Sequence, residues 1–323
     1  MPAGLTLTRM LDFVPAILLV LFLVAFGLAD AAVVSPANLI NIVAQATPIA
    51  VLATGAMIVL LTAGIDLSAA FGVAFCAVLM ASRIDAGWGV GLAALTGAAV
   101  MVAIGTLNGA VIAFLRIPPF VATLATMIAL QGATLLVAQK GVLVLKEPFL
   151  KMVGIERSFG VPNAIFLTGV VLVLASALLR HTRFGLRVYA MGSDAAAAEL
   201  AGVPIRKQTV LVYAVSGFFI FLTGFLMISR VPVVTPNIGG IPLLLDAIAA
   251  AVLGGTSIFG GRGTVLGVAL GALIVSLVTT ALRIFGTDPS SIELYKGAII
   301  IAALLADAGL TRLRDRQLKG KTA

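Results

Sequence analysis

Charged residues are scarce in this sequence, and their scarcity excludes most soluble architectures. Only 11% of the 323 residues are charged, 61% are hydrophobic, and the mean hydropathy is +1.19. An ordinary soluble domain carries about 25% charged residues, so this chain has too little polar surface to cover a globule in water. The composition excludes soluble enzymes, disordered tails, collagen-like chains and disulfide scaffolds. It predicts a polytopic membrane protein.

Histidine and cysteine are nearly absent, with one residue of each type. His181 alone cannot build a histidine metal site or a Ser-His-Asp triad, and Cys76 alone cannot form an internal disulfide. Residues 255–262 begin like a phosphate-binding loop but lack its Lys-Ser/Thr pair and follow no predicted strand. The sequence therefore predicts no catalytic residue, metal or cofactor in this chain. Any ATP is expected to be hydrolysed by another chain.

Long apolar runs fill the rest of the sequence. A membrane-spanning helix needs about 20 apolar residues, and ten runs come close to that length: 13–32, 39–63, 67–82, 88–114, 119–139, 162–179, 209–229, 243–257, 263–284 and 295–311. The first run is longer than a cleaved signal segment, so we expect it to be retained. The two shortest, 67–82 and 243–257, predict broken or tilted helices lined by protein. The predicted fold is all-α, one transmembrane domain over residues 1–323.

The net charge of +8 is better explained by membrane topology than by a nucleic-acid partner. Basic residues favour loops that stay in the cytoplasm. With ten spans and a cytoplasmic N-terminus, thirteen of the 21 Lys and Arg residues fall inside, among them both dense clusters, 180–207 and 312–321. The sequence predicts cytoplasmic termini. It also predicts that 140–161 forms an outer loop with a short surface helix.

A short capped helix is predicted within the basic segment 180–208. Ser193 or Asp194 can accept a backbone N–H at its start, four alanines favour helix, and Gly202 can end it. One interpretation is a compact knob for a partner protein. The other is an ordinary solvated loop helix.

Two stripes of small residues predict close helix packing: Gly105 with Gly109, and Gly263 with Gly267 and Gly271. Such stripes let helix backbones approach closely in lipid. They predict contacts either within the chain or between two copies.

Three carboxylates lie near the ends of predicted spans. Asp66 is expected to cap helix 67–82, and the alternative is a charged contact made in only one conformational state of the protein. Asp246 is expected in a first helical turn after Pro242, and Asp307 beside the basic tail. They form no carboxylate chain, which disfavours an ion-coupled carrier.

Neutral polar side chains are more numerous than carboxylates within the predicted spans. They suit a hydroxyl-rich solute, because amides and hydroxyls can both donate and accept, and interhelical hydrogen bonds are the competing explanation. These residues are Asn41, Gln45, Asn108, Thr123, Thr126 and Gln131.

Several segments resemble the permease subunits of bacterial ABC importers of the ribose, xylose and galactoside type. The most specific are the Gly-Ile-Asp-Leu-Ser motif and the last glycine-rich block. The sequence departs from the family's motifs at two places. It has Ala69-Ala70 where many members have Val-Gly, and Asp194 where members often have Asn. The resembling segments are 61–68, 107–109, 117–124, 182–185, 189–192, 201–203, 246–255 and 260–264.

The resemblance implies a type II importer-like permease of ten helices that dimerises with a second copy or a paralogue in the bacterial inner membrane. A periplasmic binding protein would deliver a monosaccharide or polyol, and separate ATPase chains would hold ATP and Mg.

The coupling segment would be 183–207. The implied ATPase-coupling residues are Asp194, Ala197, Glu199, Gly202 and Arg206. The expected substrate-path residues are Asp66, Ser68, Asn108, Thr123, Gln131 and Asp246. Autoinducer-2 or branched-chain amino acids are alternative cargoes, and an ion-coupled secondary carrier is the alternative class.

Overall fold

The computed structural model describes residues 14–138, 141–302 and 305. The described part is largely helical. A helix lies in nine of the ten predicted apolar runs, and the described start of the tenth, 295–302, is also helical. These helices are α1 (Val14–Ala29), α2 (Pro36–Leu60), α3 (Ala69–Asp85), α4 (Val90–Leu115), α5 (Pro119–Val137), α7 (Asn163–His181), α10 (Ile205–Arg230), α11 (Gly240–Leu253), α12 (Val265–Ile284) and α13 (289–302). Three shorter helices connect them: α6 (Pro148–Gly154), α8 (Arg183–Ser193) and α9 (Ala195–Leu200).

Six of the described helices are long and apolar enough to cross a membrane, namely α2, α4, α5, α7, α10 and α12. The chain is therefore a multi-pass membrane protein. Helix α11 has 14 residues and rises about 21 Å, less than the roughly 30 Å of a bilayer core. Helix α3 is surrounded by protein, with 13 of its 17 residues buried. Its burial agrees with the expectation that the short run 67–82 is lined by protein.

Helix α10 runs through the centre of the bundle and packs on α4, α2 and α3. Its closest neighbour is α4, because glycines remove the side chains between them. A Cβ on Gly105 would overlap the backbone of Tyr213, and one on Gly109 would lie 2.7 Å from the Cα of Val210. The first small-residue stripe is thus an internal helix contact.

The second stripe joins α12 to α11. A Cβ on Gly267 would overlap the carbonyl oxygen of Gly254, and one on Gly271 would overlap that of Ala250. Gly263 lies one turn earlier, where a Cβ would be 3.0 Å from the hydroxyl of Thr256. Of the two predicted kinds of contact, the structure has the one within the chain.

Replacing Gly267 with Leu is expected to destabilise the bundle by about 1–3 kcal/mol, because the larger side chain would push α12 away from α11. The change should lower the melting temperature of the purified protein in detergent. Gly132→Leu is the matched control on α5, since nothing lies within 4 Å of a Cβ at that position. Equal melting of the two variants would show that the α11–α12 contact does not require a glycine.

Four two-residue strands and α6 cover the end of the bundle opposite α8. Strand β1 (Leu143–Val144) pairs with β4 (Val233–Val234), and β2 (Arg157–Ser158) pairs with β3 (Val161–Pro162), all antiparallel. The short helix expected within 140–161 is α6. It docks on the end of α10 instead of lying free on the surface, because Gly154 packs on the backbone of Ser229.

Candidate functional site

A non-helical break, residues 61–68, separates α2 from α3 inside the bundle. The chain turns at Ala63, which has a left-handed φ of 57°, and α3 does not begin until Ala69. Asp66 and Ser68 are nonetheless buried, at 7% and 2% exposure. Irregular backbone in a membrane protein is tolerated where protein or a water-filled cavity surrounds it. The break therefore places polar groups where the surrounding helices must supply their partners.

The Asp66 carboxylate is the acceptor at the centre of this break. It accepts hydrogen bonds from the backbone N–H of Ser68 at 3.1 Å, from the Ser68 hydroxyl, and from the Ser216 hydroxyl at 2.8 Å. Ser216 lies on α10, 150 residues further along the chain. Asp66 thus connects the start of α3 to the central helix.

The expectation that Asp66 caps the helix at 67–82 is wrong. The helix begins at Ala69 with Ser68 as its N-cap residue, and no side chain accepts from its first-turn amides. A capping oxygen must reach the second or third amide of a helix, and Asp66 lies two residues before the N-cap. Its carboxylate instead orders the preceding turn and binds α10.

The hydrogen bonds continue from Ser68 to two more helices. The Asn108 amide of α4 donates to the Ser68 hydroxyl at 3.2 Å, and the Thr126 hydroxyl of α5 donates to the Asn108 oxygen at 2.6 Å. The Ile65 carbonyl accepts from the Thr123 hydroxyl at 3.2 Å and from Tyr213 at 3.3 Å. We call this set the polar junction: Ile65, Asp66, Ser68, Asn108, Thr123, Thr126, Tyr213 and Ser216.

The polar junction unites four of the six residues expected on the substrate path: Asp66, Ser68, Asn108 and Thr123. It also includes Thr126, one of the neutral candidates. Gln131 is exposed on α5 and has no place in the junction.

Sequence reasoning missed Tyr213 and Ser216. Each is flanked by apolar residues in α10, so neither attracts attention alone. Their spacing of three residues places them on one face of the helix, and that spacing is the signal that could have identified them.

Asp246 is also separate from the polar junction. The expectation of a first-turn carboxylate is wrong, because α11 begins at Gly240 and no acidic residue occupies its first turn. Asp246 instead forms an ion pair of 2.7 Å with Lys296 of α13, which also contacts Glu293 at 2.7 Å. Lys296 is only 5% exposed, and a buried charge requires such partners. Asp307 lies outside the described residues.

The short helix predicted at 193–202 is present as α9. Asp194, not Ser193, is the cap, since its carboxylate accepts from the Ala197 amide at 3.0 Å. Gly202 follows the helix with a φ of 84°, a conformation that glycine adopts without strain. The five residues expected to couple this chain to an ATPase are all exposed: Asp194, Ala197, Glu199, Gly202 and Arg206.

Helix α8 connects α9 to the end of α2. A Cβ on Gly192 would overlap the Leu61 carbonyl oxygen, and that oxygen accepts from the Gly261 amide at 3.0 Å. The Tyr189 hydroxyl donates to the Gly263 carbonyl at 2.8 Å. Helix α8, the end of α2 and the segment before α12 therefore form one close contact, five residues before Asp66.

Comparison with known families decides the class of this membrane protein. A family model described as the permease component of the branched-chain amino acid transport system matches residues 38–305. This chain belongs to that permease family. It is an ABC importer permease, a transport subunit and not a catalyst, and ATP hydrolysis belongs to a separate subunit.

Individual relatives of the permease are sugar transport subunits. The ribose import permease of Escherichia coli K12 is 34% identical over 274 residues, which cover 84% of this chain and 85% of the relative. The fructose import permease of Rhizobium meliloti is 32% identical over 93% of this chain and 86% of its own. The galactofuranose transporter permease of Escherichia coli K12 is 31% identical over 85% of this chain and 80% of the relative. No solved structure matches this permease. The resemblance to sugar-type ABC permeases is confirmed.

Proposed function

We propose that this permease carries a monosaccharide or related polyol across the bacterial inner membrane. The observation that carries the proposal is the set of relatives, which are named for ribose, fructose and galactofuranose and match most of this chain. The family model's description names branched-chain amino acids, so an amino acid is the competing cargo.

The chemistry of the polar junction favours the sugar. Its side chains supply hydroxyls, one amide and one carboxylate, groups that exchange hydrogen bonds readily with a polyol. No basic residue belongs to it. A zwitterionic amino acid needs a cationic partner for its carboxylate, because an unpaired charge is costly to bury. We therefore assign Asp66, Ser68, Asn108 and Thr123 to the sugar path.

The ATPase subunit drives transport by docking on α9 and displacing it. A docked ATPase subunit moves α9 and α8 together, and α8 transmits the displacement to Leu61 through its contact at Gly192. The break then shifts relative to α10 and α4, so the Asp66–Ser216 and Ser68–Asn108 hydrogen bonds separate and re-form during each cycle. A periplasmic binding protein delivers the sugar, and a second copy or a paralogue completes the path.

Sugar uptake in proteoliposomes tests the cargo and the class together. The permease, its ATPase subunit and its binding protein are reconstituted, and labelled ribose, fructose and leucine are compared. Uptake of a sugar is expected to require ATP and the binding protein and to be unaffected by ionophores. A leucine preference would contradict the sugar assignment, and ionophore-sensitive uptake without the ATPase would show a secondary carrier.

The proposed orientation has ten spans, with both termini and the coupling segment 183–207 in the cytoplasm. The supporting observation is the clustering of basic residues in 180–207 and 312–321. Alkaline phosphatase fused after Leu318 should be inactive, and fused within 140–161 it should be active. An active fusion after Leu318 would contradict the ten-span orientation.

A further inference from the structure

The turn between α11 and α12 exposes two large apolar side chains at the same end of the molecule as α9. Phe259 is 83% exposed and Ile258 is 51% exposed, and Arg262 beside them is also exposed. Single exposed apolar residues are common on protein surfaces. The position of this pair is what requires an explanation, since the turn lies directly beside the start of α9: a Cβ on Gly261 would be 3.0 Å from the Ser193 hydroxyl.

The turn is held in one shape by its own backbone. The Ser257 amide donates to the Arg262 carbonyl at 2.8 Å, and the Gly260 amide donates to the Ser257 carbonyl at 3.2 Å. The Phe259 amide donates to the Ser257 hydroxyl at 3.2 Å. Gly260 has a left-handed φ of 93°. Phe259 is thus presented on an ordered turn, and binding would require little further loss of backbone entropy.

The same turn is fixed to the elements that carry α9. The Gly261 amide donates to Leu61 at the end of α2, and the carbonyl of Gly263 accepts from Tyr189 of α8. A Cβ on Gly260 would lie 2.8 Å from the Gly192 carbonyl oxygen. Any displacement of α8 must therefore move the turn as well.

Helix α9 by itself is too small to hold a partner protein. Six residues rise only about 9 Å, and four of them are alanines. A stable interface buries about 800 Å² on each partner. An ATPase subunit seated on α9 therefore needs adjoining surface, and the turn at 257–262 adjoins the start of α9.

We propose that Phe259 and Ile258 form a second docking point for the ATPase subunit, next to α9. The fitting partner surface is an apolar pocket bordered by acidic residues, because Arg262 lies at the edge of the pair. This inference rests on the proposed coupling role of α9. Contacts at both α9 and the turn prevent α8 from rotating relative to the ATPase. The displacement of the ATPase is therefore transmitted in full to Leu61.

Phe259→Glu tests the second docking point by placing a charge in the apolar pocket. ATPase binding to the purified permease should weaken at least tenfold, and ATP-driven uptake should fall with it, while the melting temperature stays unchanged. Phe159→Glu is the matched control: Phe159 is 99% exposed in the β2–β3 turn, which joins the end of α7 far from α8. Equal ATPase affinity of the two variants would overturn the inference.

Cysteine labelling locates the contact directly. The native Cys76 is buried, so Phe259→Cys provides one accessible thiol for a maleimide. Adding the ATPase subunit should slow its labelling at least fivefold and leave Phe159→Cys unaffected. If liposomes alone protected Phe259→Cys and the ATPase added nothing, the turn would contact lipid and the inference would be wrong.

Comparison with Ala197→Arg distinguishes two possible failures: that the ATPase does not dock at Phe259 and Ile258, and that it does not dock at α9. Release of the ATPase by Ala197→Arg, together with normal binding by Phe259→Glu, would leave α9 as the docking helix and overturn only the second point. Normal binding by both variants would overturn the role of α9 and the inference with it.

Discussion

Ala197→Arg should release the ATPase subunit from a permease that remains folded in the membrane. Ala197 is exposed on α9, so the substitution disturbs no packing within the chain. In the complex it would force a long charged side chain into a close-packed groove, where overpacking and burial of an unpaired charge both oppose binding. We expect copurification of the ATPase to fall to background and ATP-driven uptake to be lost.

The matched control for this variant is Ala86→Arg. Ala86 is also exposed, but it follows α3 at the end of the bundle away from α9. Ala86→Arg should copurify with the ATPase as the wild type does. Normal copurification of Ala197→Arg would mean that the ATPase docks on another part of the chain.

Asp66→Ala should destabilise the permease and abolish uptake. The substitution removes the acceptor of three hydrogen bonds, one of which joins the break to α10. Hydrogen bonds to a charged group contribute about 1.5–3 kcal/mol each, and loss of the acceptor leaves buried donors unsatisfied. The yield of folded protein and its melting temperature should both fall.

Asp66→Asn separates the structural role of this residue from its role in transport. The Asn oxygen can still accept, so the protein should fold. It lacks the negative charge that strengthens the contacts with Ser68 and Ser216, and substrate-stimulated ATP hydrolysis should fall about tenfold. Glu156→Gln, an exposed carboxylate in the loop before α7, is the control and should behave as wild type. Full activity of Asp66→Asn would show that the carboxylate only stabilises the break.

Local features of this protein could be predicted from its sequence. The described parts of the apolar runs are mainly helical because a backbone without water must satisfy its own hydrogen bonds, and that requirement depends on composition alone. Asp194 and Gly202 bound α9 as expected, since a cap and a left-handed glycine act on residues close in sequence. The family resemblance also depended on contiguous motifs, and it is confirmed.

Only the tertiary structure decided which polar groups meet. Asp66 was expected to act only at the start of its own helix, but besides Ser68 it binds Ser216, 150 residues away. Asp246 likewise pairs with Lys296 on a different helix. Hydropathy cannot predict such partners. A helix that is apolar on every face has no amphipathic periodicity, so its sequence does not show which face packs against which neighbouring helix. Close packing at glycines such as Gly105 sets the helix neighbours, and those neighbours determine where each buried polar side chain finds its hydrogen bond.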